Sequence, residues 1–140
     1  MSTTILLVED NDDNQEIYRI ILAHHGYDVL QAYDGGSGVE LAREHGPDLI
    51  LMDLTMPVLD GLEATRLLKA DPVTAAIPIV ALTAHSERED VAAAEEAGCD
   101  GFLCKPVEPQ RVAAEVRRLL ASPRGARGDD GSASGAASAR

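Results

Sequence analysis

The chain has 140 residues and a mass of 14.8 kDa, which is the size of one domain of about 100–150 residues. Hydrophobic residues make up 45% of it, as in ordinary globular proteins, so a wholly disordered chain is excluded. Its 24 acidic and 12 basic residues give a formal net charge of −12, which disfavours direct binding to nucleic acid or to an anionic membrane.

Short apolar runs alternate with stretches typical of helices, a pattern that predicts βαβ units around a parallel sheet covered on both faces. Each run is too short and too continuously apolar for an amphipathic helix, so we read it as a strand. The predicted strands are, in chain order, Ile5–Val8, Asp28–Ala32, Leu49–Met52, Ile79–Leu82 and Gly101–Cys104.

Helices are predicted between and after these strands. In the first, Ile17, Ile20, Ile21 and His24 share one face. Its start is predicted from Asp13 and Glu16, which have the spacing of a capping box. The last helix has Val112, Val116, Leu119 and Leu120 at helical spacing. The other three are predicted at Ser37–Glu44, Leu62–Ala70 and Glu87–Ala97.

Glycine, serine and alanine dominate the sequence from Ser122 onward, which predicts a folded domain over 4–121 and a flexible tail over 122–140. The apolar runs are far shorter than the roughly 20 residues of a membrane-spanning helix, and the N-terminal sequence lacks the pattern of a signal peptide. Cys99 and Cys104 have no second cysteine pair nearby, which favours reduced thiols. We therefore expect a cytoplasmic protein.

Polar side chains follow four of the predicted strands: Glu9 and Asp10, then Asp53, Thr83 and Lys105. Because functional groups collect at the carboxyl ends of parallel strands, we expect these side chains to converge. Three carboxylates repel one another, so Lys105 and a divalent ion such as Mg²⁺ are needed to offset their charge. A sheet edge that holds carboxylates, a lysine and a divalent ion suits phosphoryl transfer, with Asp53 on the central strand as the nucleophile.

These segments resemble the receiver domain of two-component response regulators over about 4–121. The matching segments are ILLVEDN (5–11), LILMDLTMPVLDG (49–61), IVALTAH (79–85) and GFLCKP (101–106). The resemblance implies an α/β fold of the flavodoxin-like (βα)5 type. Its doubly wound parallel sheet would have five strands in the order 2-1-3-4-5.

The resemblance also implies how the acidic residues act. Asp53 would accept a phosphoryl group. Asp10 and Asp53 would ligate Mg²⁺ directly, together with the backbone carbonyl of Thr55, whereas Glu9 would act mainly through a bound water.

Further positions match the phosphoryl-binding and switching parts of the family. Lys105 and Thr83 would each bind a phosphoryl oxygen, and Phe102 would turn inward when Thr83 moves toward the phosphate. The peptide bond before Pro106 is expected to be cis.

Three positions complete the resemblance. Thr55 and His85 match positions that tune the lifetime of the phosphoryl group, because they lie two residues beyond Asp53 and Thr83. Gly61 resembles a turn glycine that permits a positive φ where the third helix begins.

We therefore expect a phosphorylation-operated switch that promotes its own phosphorylation and dephosphorylation and is not an enzyme acting on external substrates. Its partners would be a sensor histidine kinase or a histidine phosphotransfer protein, and a downstream protein target. That target would contact the fourth helix, fifth strand and fifth helix, where Arg111, Arg117 and Arg118 supply positive charge. The expected state is a monomer or weak dimer.

Two other functions stay open. One is a constitutive interaction module that is never phosphorylated. The other is a Mg²⁺-dependent phosphatase of the haloacid-dehalogenase type. That family needs a second Asp two residues after the nucleophile, where this chain has Thr55.

Overall fold

The apolar runs form the strands of one sheet, and helices occupy the segments between them. The computed structural model describes residues 3–54, 61–83, 88–105 and 107–121. The strands are β1 (Thr4–Val8), β2 (Asp28–Ala32), β3 (Leu49–Asp53), β4 (Ile79–Thr83) and β5 (Gly101–Cys104). The helices are α1 (Asp12–His24), α2 (Gly35–His45), α3 (Gly61–Ala70), α4 (Arg88–Ala97) and α5 (Pro109–Ala121).

The sheet is parallel throughout, and its strand order is β2-β1-β3-β4-β5. This confirms the predicted flavodoxin-like α/β fold and the order 2-1-3-4-5. The register pairs Val8 with Met52, and Asp53 with Leu82. Because Asp53 is the last residue of β3, its side chain lies at the carboxyl edge of the sheet.

Alternate residues of each central strand face opposite layers of the core. In β1, Ile5 and Leu7 belong to one apolar cluster, whereas Leu6 and Val8 belong to the other. The first cluster is completed by residues of α1 and α5, and the second by residues of α2 and α3. Burial on both faces explains why β3 and β4 are apolar along nearly their whole length.

The buried face of α1 shares only Ile21 with the predicted one, and Ile21 packs partly buried against the first apolar cluster. Ile17 is 46% and Ile20 is 52% exposed, and the buried side chains are Gln15, Tyr18 and Leu22. The predicted face and the observed face both have residues three and four positions apart, as a helix requires. Periodicity alone therefore could not distinguish them. The polar Gln15 is buried because backbone carbonyls accept hydrogen bonds from its side chain.

The start of α1 also differs, because its N-cap is Asn11 and not a capping box at Asp13 and Glu16. The Asn11 side chain accepts a hydrogen bond from the backbone N–H of Asn14 at 2.9 Å. In the same way, Asp34 accepts from the N–H of Ser37 at 2.8 Å and starts α2 two residues earlier than predicted. Side-chain caps therefore fix both helix starts.

Gly61 opens α3, and its predicted positive φ depends on residue 60, which lies outside the described residues. A Cβ at this position would lie 2.6 Å from the Cα of Leu54 and closer still to the carbonyl oxygen of Asp53. The first turn of α3 therefore packs directly on the backbone of Asp53, where no side chain fits. The described glycines with positive φ are Gly26, Gly46 and Gly98.

The apolar face of α5 agrees with its prediction, because Val112, Val116 and Leu119 are buried and Leu120 packs against them. None of the helices in the described ranges is long and apolar enough to cross a membrane. The predicted tail over 122–140 lies outside the described residues.

Candidate functional site

The carboxyl ends of β1, β3 and β5 bring two acids and one amine into contact. The Nζ of Lys105 lies 3.1 Å from Oε1 of Glu9 and 3.2 Å from Oδ2 of Asp53. Glu9 directly follows β1 and Lys105 directly follows β5, so the parallel sheet itself places these side chains on one edge.

Thr83 ends β4 at the same edge. Its backbone carbonyl accepts a hydrogen bond from the N–H of Lys105 at 2.7 Å, and its side chain is buried. On the other side of β4, the N–H of Leu54 donates to the carbonyl of Leu82 at 2.8 Å. Main-chain hydrogen bonds therefore join the ends of β3, β4 and β5. They fix the backbone positions from which the side chains of Asp53, Thr83 and Lys105 extend.

Three carboxylates form the acidic part of the site. Glu9, Asp10 and Asp53 each offer one oxygen, and these oxygens all lie within 4.8 Å of one another. Glu9 and Asp53 are buried, whereas Asp10 is exposed and opens the cluster to solvent. When all three are ionised, Lys105 neutralises only one of three negative charges.

The electrostatics of the buried pair follow from this crowding. Burial raises the pKa of Glu9, and the charge of Asp53 raises it further, although the N–H of Asn11 and the ammonium of Lys105 act in the opposite direction. Burial lowers the pKa of Lys105, but the charges and hydrogen bonds of Asp53 and Glu9 outweigh burial and raise it. The site therefore favours a positive charge and disfavours an additional negative one.

The donor set fits a hard divalent cation. All three candidate ligands are carboxylate oxygens, which Mg²⁺ prefers, and the cluster carries an excess of negative charge that such an ion would offset. Exposure of Asp10 leaves room on one side for water or phosphoryl oxygens. The residues present are therefore suited to hold Mg²⁺.

Two buried polar residues of α1 were not predicted to be part of this region. The amide of Gln15 donates to the carbonyl oxygen of Glu9 at 3.0 Å. The pKa of Tyr18 is raised by burial, lowered by the charge of Lys105 and raised by Glu9 and Asp53, so the Tyr18 hydroxyl lies within the electric field of the site. The helical spacing of Gln15, Tyr18 and Leu22 could have indicated this buried face. The isoleucines at 17, 20 and 21 form a more apolar face and were chosen instead.

Phe102 is the remaining predicted site residue within the described ranges. Phe102 is on β5, between the buried Gly101 and Leu103, and its side chain is 37% exposed. Thr55, His85 and Pro106 lie outside the described residues.

The predicted partner-binding face has less free positive charge than its sequence suggests. On α5, Nη2 of Arg118 lies 2.6 Å from Oε2 of Glu115, which sits on the same helix. Arg111 and Arg117 are exposed.

Comparison with known proteins places this geometry in a family. A model of the response regulator receiver domain matches residues 5–117. The chain is similar to the polar-differentiation response regulator DivK of Brucella ovis. The two are 35% identical over 120 residues, which cover 86% of this chain and 98% of that protein.

Solved structures lead to the same family. The receiver domain of a sensor histidine kinase from Pseudomonas aeruginosa is 37% identical with a TM-score of 0.81, and covers 87% of this chain and 100% of its own. That structure has a magnesium ion coordinated in its active-site cleft. A chemotaxis response regulator of Vibrio cholerae is 26% identical, also with a TM-score of 0.81, and covers 85% and 99% of the two chains. With the strand order, the acidic cluster and these matches in agreement, the chain belongs to the response regulator receiver domain family.

Proposed function

We propose that this chain is a phosphorylation-operated signalling switch in which Asp53 accepts a phosphoryl group from a phosphohistidine. The observation that carries the proposal is the contact of Lys105 with both Asp53 and Glu9, beside a third carboxylate from Asp10. A single amine against three acids is suited to receive a divalent ion and a phosphoryl group together.

The chain's own residues perform the transfer by positioning. A carboxylate oxygen of Asp53 forms a bond to phosphorus while the phosphorus–nitrogen bond of the phosphohistidine breaks. The imidazole departs with the electron pair of that bond and takes up a proton. Lys105 and the hydroxyl of Thr83 bind phosphoryl oxygens, which keeps the group in line with Asp53.

The proposed Mg²⁺ site consists of Asp10, Asp53 and the backbone carbonyl of Thr55, with Glu9 acting through a water. Bound Mg²⁺ would supply neutralisation of the charge on the transferring group. Thr55 and His85 are proposed to tune how long the phosphoryl group lasts, so that the chain takes part in both its own phosphorylation and its own dephosphorylation.

The switch follows from charge. Phosphorylation replaces the single negative charge of Asp53 with about −2 on the acyl phosphate, beside the carboxylates of Glu9 and Asp10, so Lys105 and Thr83 must rearrange toward it. Reversing a two-state surface from 1:99 to 99:1 requires about 5.5 kcal/mol, which a few charge-assisted hydrogen bonds of roughly 1.5–3 kcal/mol each can supply. We propose that Phe102 turns inward as Thr83 moves.

The proposed donors are a sensor histidine kinase or a histidine phosphotransfer protein. The proposed output is contact of α4, β5 and α5 with a downstream protein, in which the exposed Arg111 and Arg117 take part. Direct contact with nucleic acid or membrane is not part of the proposal, because the net charge is −12. The proposed setting is the cytoplasm, as a monomer or weak dimer; Cys99 and Cys104 are free thiols, as a reducing compartment favours.

Intact-mass measurement after incubation with a small phosphoryl donor tests this function. We expect one phosphoryl adduct that requires Mg²⁺, disappears with EDTA and is absent from Asp53→Asn. Asp34→Asn is the matched control, because Asn also caps helices and the substitution leaves the acidic cluster intact.

An adduct that persists in Asp53→Asn would contradict the assignment of the acceptor. A wild-type chain that stays unmodified by the small donor and by phosphohistidine transfer proteins would favour a constitutive interaction module. Turnover of an external phosphate ester would favour the phosphatase.

A further inference from the structure

Gln15 is the most deeply buried polar side chain of the described helix α1, with 1% of its surface exposed. Its Nε2 lies 2.7 Å from the carbonyl oxygen of Ala32, 3.0 Å from that of Glu9 and 3.2 Å from that of Leu7. The two N–H bonds of one amide are therefore shared among three acceptors. A side chain of α1 thus joins the carboxyl ends of two strands.

Leu7 is the second-last residue of β1, and the carbonyls of Glu9 and Ala32 lie where the two strands stop. β1 ends at Val8 and β2 ends at Ala32, so beyond them no strand ladder supplies hydrogen bonds. The N–H of Glu9 donates to the carbonyl of Ala32 at 3.0 Å, and the carbonyl of Glu9 accepts from Gln15. Both main-chain groups of Glu9 are thereby fixed, although the residue lies outside the strand.

Gln31 sets the direction in which the Gln15 amide points. It lies on β2, and its Nε2 donates to Oε1 of Gln15 at 2.9 Å. With Oε1 accepting from Gln31, the nitrogen of Gln15 faces the three carbonyls. The two side chains form an ordered amide pair that ends at the backbone of Glu9.

The side chain of Glu9 depends on that backbone. Its Oε2 accepts from the N–H of Asn11 at 3.1 Å, and its Oε1 accepts from Lys105 at 3.1 Å. Asp10 follows directly in the chain, so a shift of the Glu9 carbonyl would move two of the three carboxylates relative to Asp53.

We infer that Gln15, oriented by Gln31, is a positioning residue for the metal-binding acids of the site. It holds the segment of Glu9 and Asp10 in the arrangement that keeps their oxygens within 4.8 Å of Asp53. This inference rests on the proposed Mg²⁺ site. Groups that orient metal ligands from behind typically change metal affinity 10–100-fold when they are removed.

The test measures Mg²⁺ binding by isothermal titration calorimetry on the full chain under conditions where every variant is folded. Gln15→Met keeps the length of the side chain but cannot donate, and we expect its Mg²⁺ affinity to fall about tenfold. Gln31→Met leaves Gln15 in place without its orienting partner, and we expect a smaller loss of about threefold.

Thr74→Val is the matched control. Thr74 is fully buried between α3 and β4, and its hydroxyl donates to the carbonyl of Leu68 at 2.6 Å. This variant also loses a buried hydrogen bond, but at the opposite edge of the sheet, so its stability should fall while its Mg²⁺ affinity stays unchanged.

A second measurement does not depend on the metal. Amide hydrogen exchange of residues 9–11 without Mg²⁺ should be faster in Gln15→Met than in the wild type, whereas Thr74→Val should show no local change there. Unchanged exchange and unchanged Mg²⁺ affinity in both glutamine variants would overturn the inference. Absence of Mg²⁺ binding by the wild type would instead contradict the proposed function.

Discussion

Lys105 donates a hydrogen bond of 3.2 Å to Asp53, although 52 positions separate the two residues in the chain. The same ammonium lies 3.1 Å from a carboxylate oxygen of Glu9. Both acids are buried, so Lys105 is the cation on which the folded site depends before any metal or phosphoryl group is bound.

Replacing Lys105 by Met should therefore lower the free energy of unfolding by about 2–3 kcal/mol near neutral pH without Mg²⁺, since two buried carboxylates lose a charged hydrogen-bond donor. Mg²⁺ should bind this variant more tightly than the wild type, because the potential at the site is more negative. Urea unfolding and calorimetric titration measure the two effects.

Lys69→Met is the control for Lys105→Met. Lys69 is a similarly half-buried lysine that lies 3.2 Å from Asp100, away from the acidic cluster. We expect it to destabilise the protein and leave Mg²⁺ affinity unchanged. Weaker Mg²⁺ binding in Lys105→Met would contradict the electrostatic argument.

The raised pKa of Glu9 makes stability depend on pH in a definite direction. The ordinary value is 4.5 and the folded-state pKa is higher, so between the two values the folded chain binds more protons than the unfolded chain. The stability from this group is thus complete below pH 4.5 and is lost as the pH rises through the folded-state pKa.

Replacing Glu9 by Gln removes the loss of stability that ionisation of Glu9 causes. We expect the variant's free energy of unfolding, measured without Mg²⁺, to exceed that of the wild type by a margin that grows as the pH rises above 4.5. Adding Mg²⁺ should stabilise the wild type more than the variant, because the ion favours the ionised carboxylate. A difference in stability that shrinks as the pH rises would refute a raised pKa of Glu9 in the folded chain.

The close approach of α3 to β3 predicts that Gly61→Ala is destabilising. A Cβ would collide with the backbone of Asp53 and Leu54, and such overpacking costs about 1–3 kcal/mol. Gly36→Ala on α2 is the control, since its Cβ would meet only an oxygen of Asp34 at an ordinary 3.5 Å, and we expect no loss of stability there. Equal effects in urea unfolding would show that backbone contact is not the cause.

Phe102 is the sole phenylalanine, so fluorophenylalanine labelling gives a single fluorine resonance. In the unphosphorylated chain this resonance should report a partly exposed ring. We expect it to shift when the phosphoryl donor and Mg²⁺ are added, and to stay in place in Asp53→Asn. In Thr83→Val the shift should be smaller, because the hydroxyl that would move toward the phosphoryl group is missing. An unchanged resonance in the phosphorylated wild type would exclude Phe102 as the switching aromatic.

The positions of Asp53 and Lys105 could be predicted from the sequence because they depend on few rules. Each follows a continuous apolar run, and parallel strands end at a common edge whatever the side chains there are. The contact of Lys105 with the acids could then be predicted from charge, since carboxylates at one edge of the sheet repel one another and need a nearby cation.

The face of α1 and the role of Gly61 could not be predicted in the same way. Burial of Gln15 depends on three carbonyl oxygens from β1, β2 and the segment after β1, which become neighbours only in the folded sheet. Gly61 is required because a Cβ there would collide with the backbone of Asp53. Both features are set by contacts between different elements of the fold, which the periodicity within one element does not contain.

The contact between Glu9 and Lys105 joins residues 96 positions apart. During synthesis Glu9 and Asp53 leave the ribosome well before β5, so a nascent chain carries these acids without the amine that neutralises them. If the proposed function holds, competence to receive a phosphoryl group arises only once β5 has docked on β4, and an incompletely folded chain would not transmit a signal.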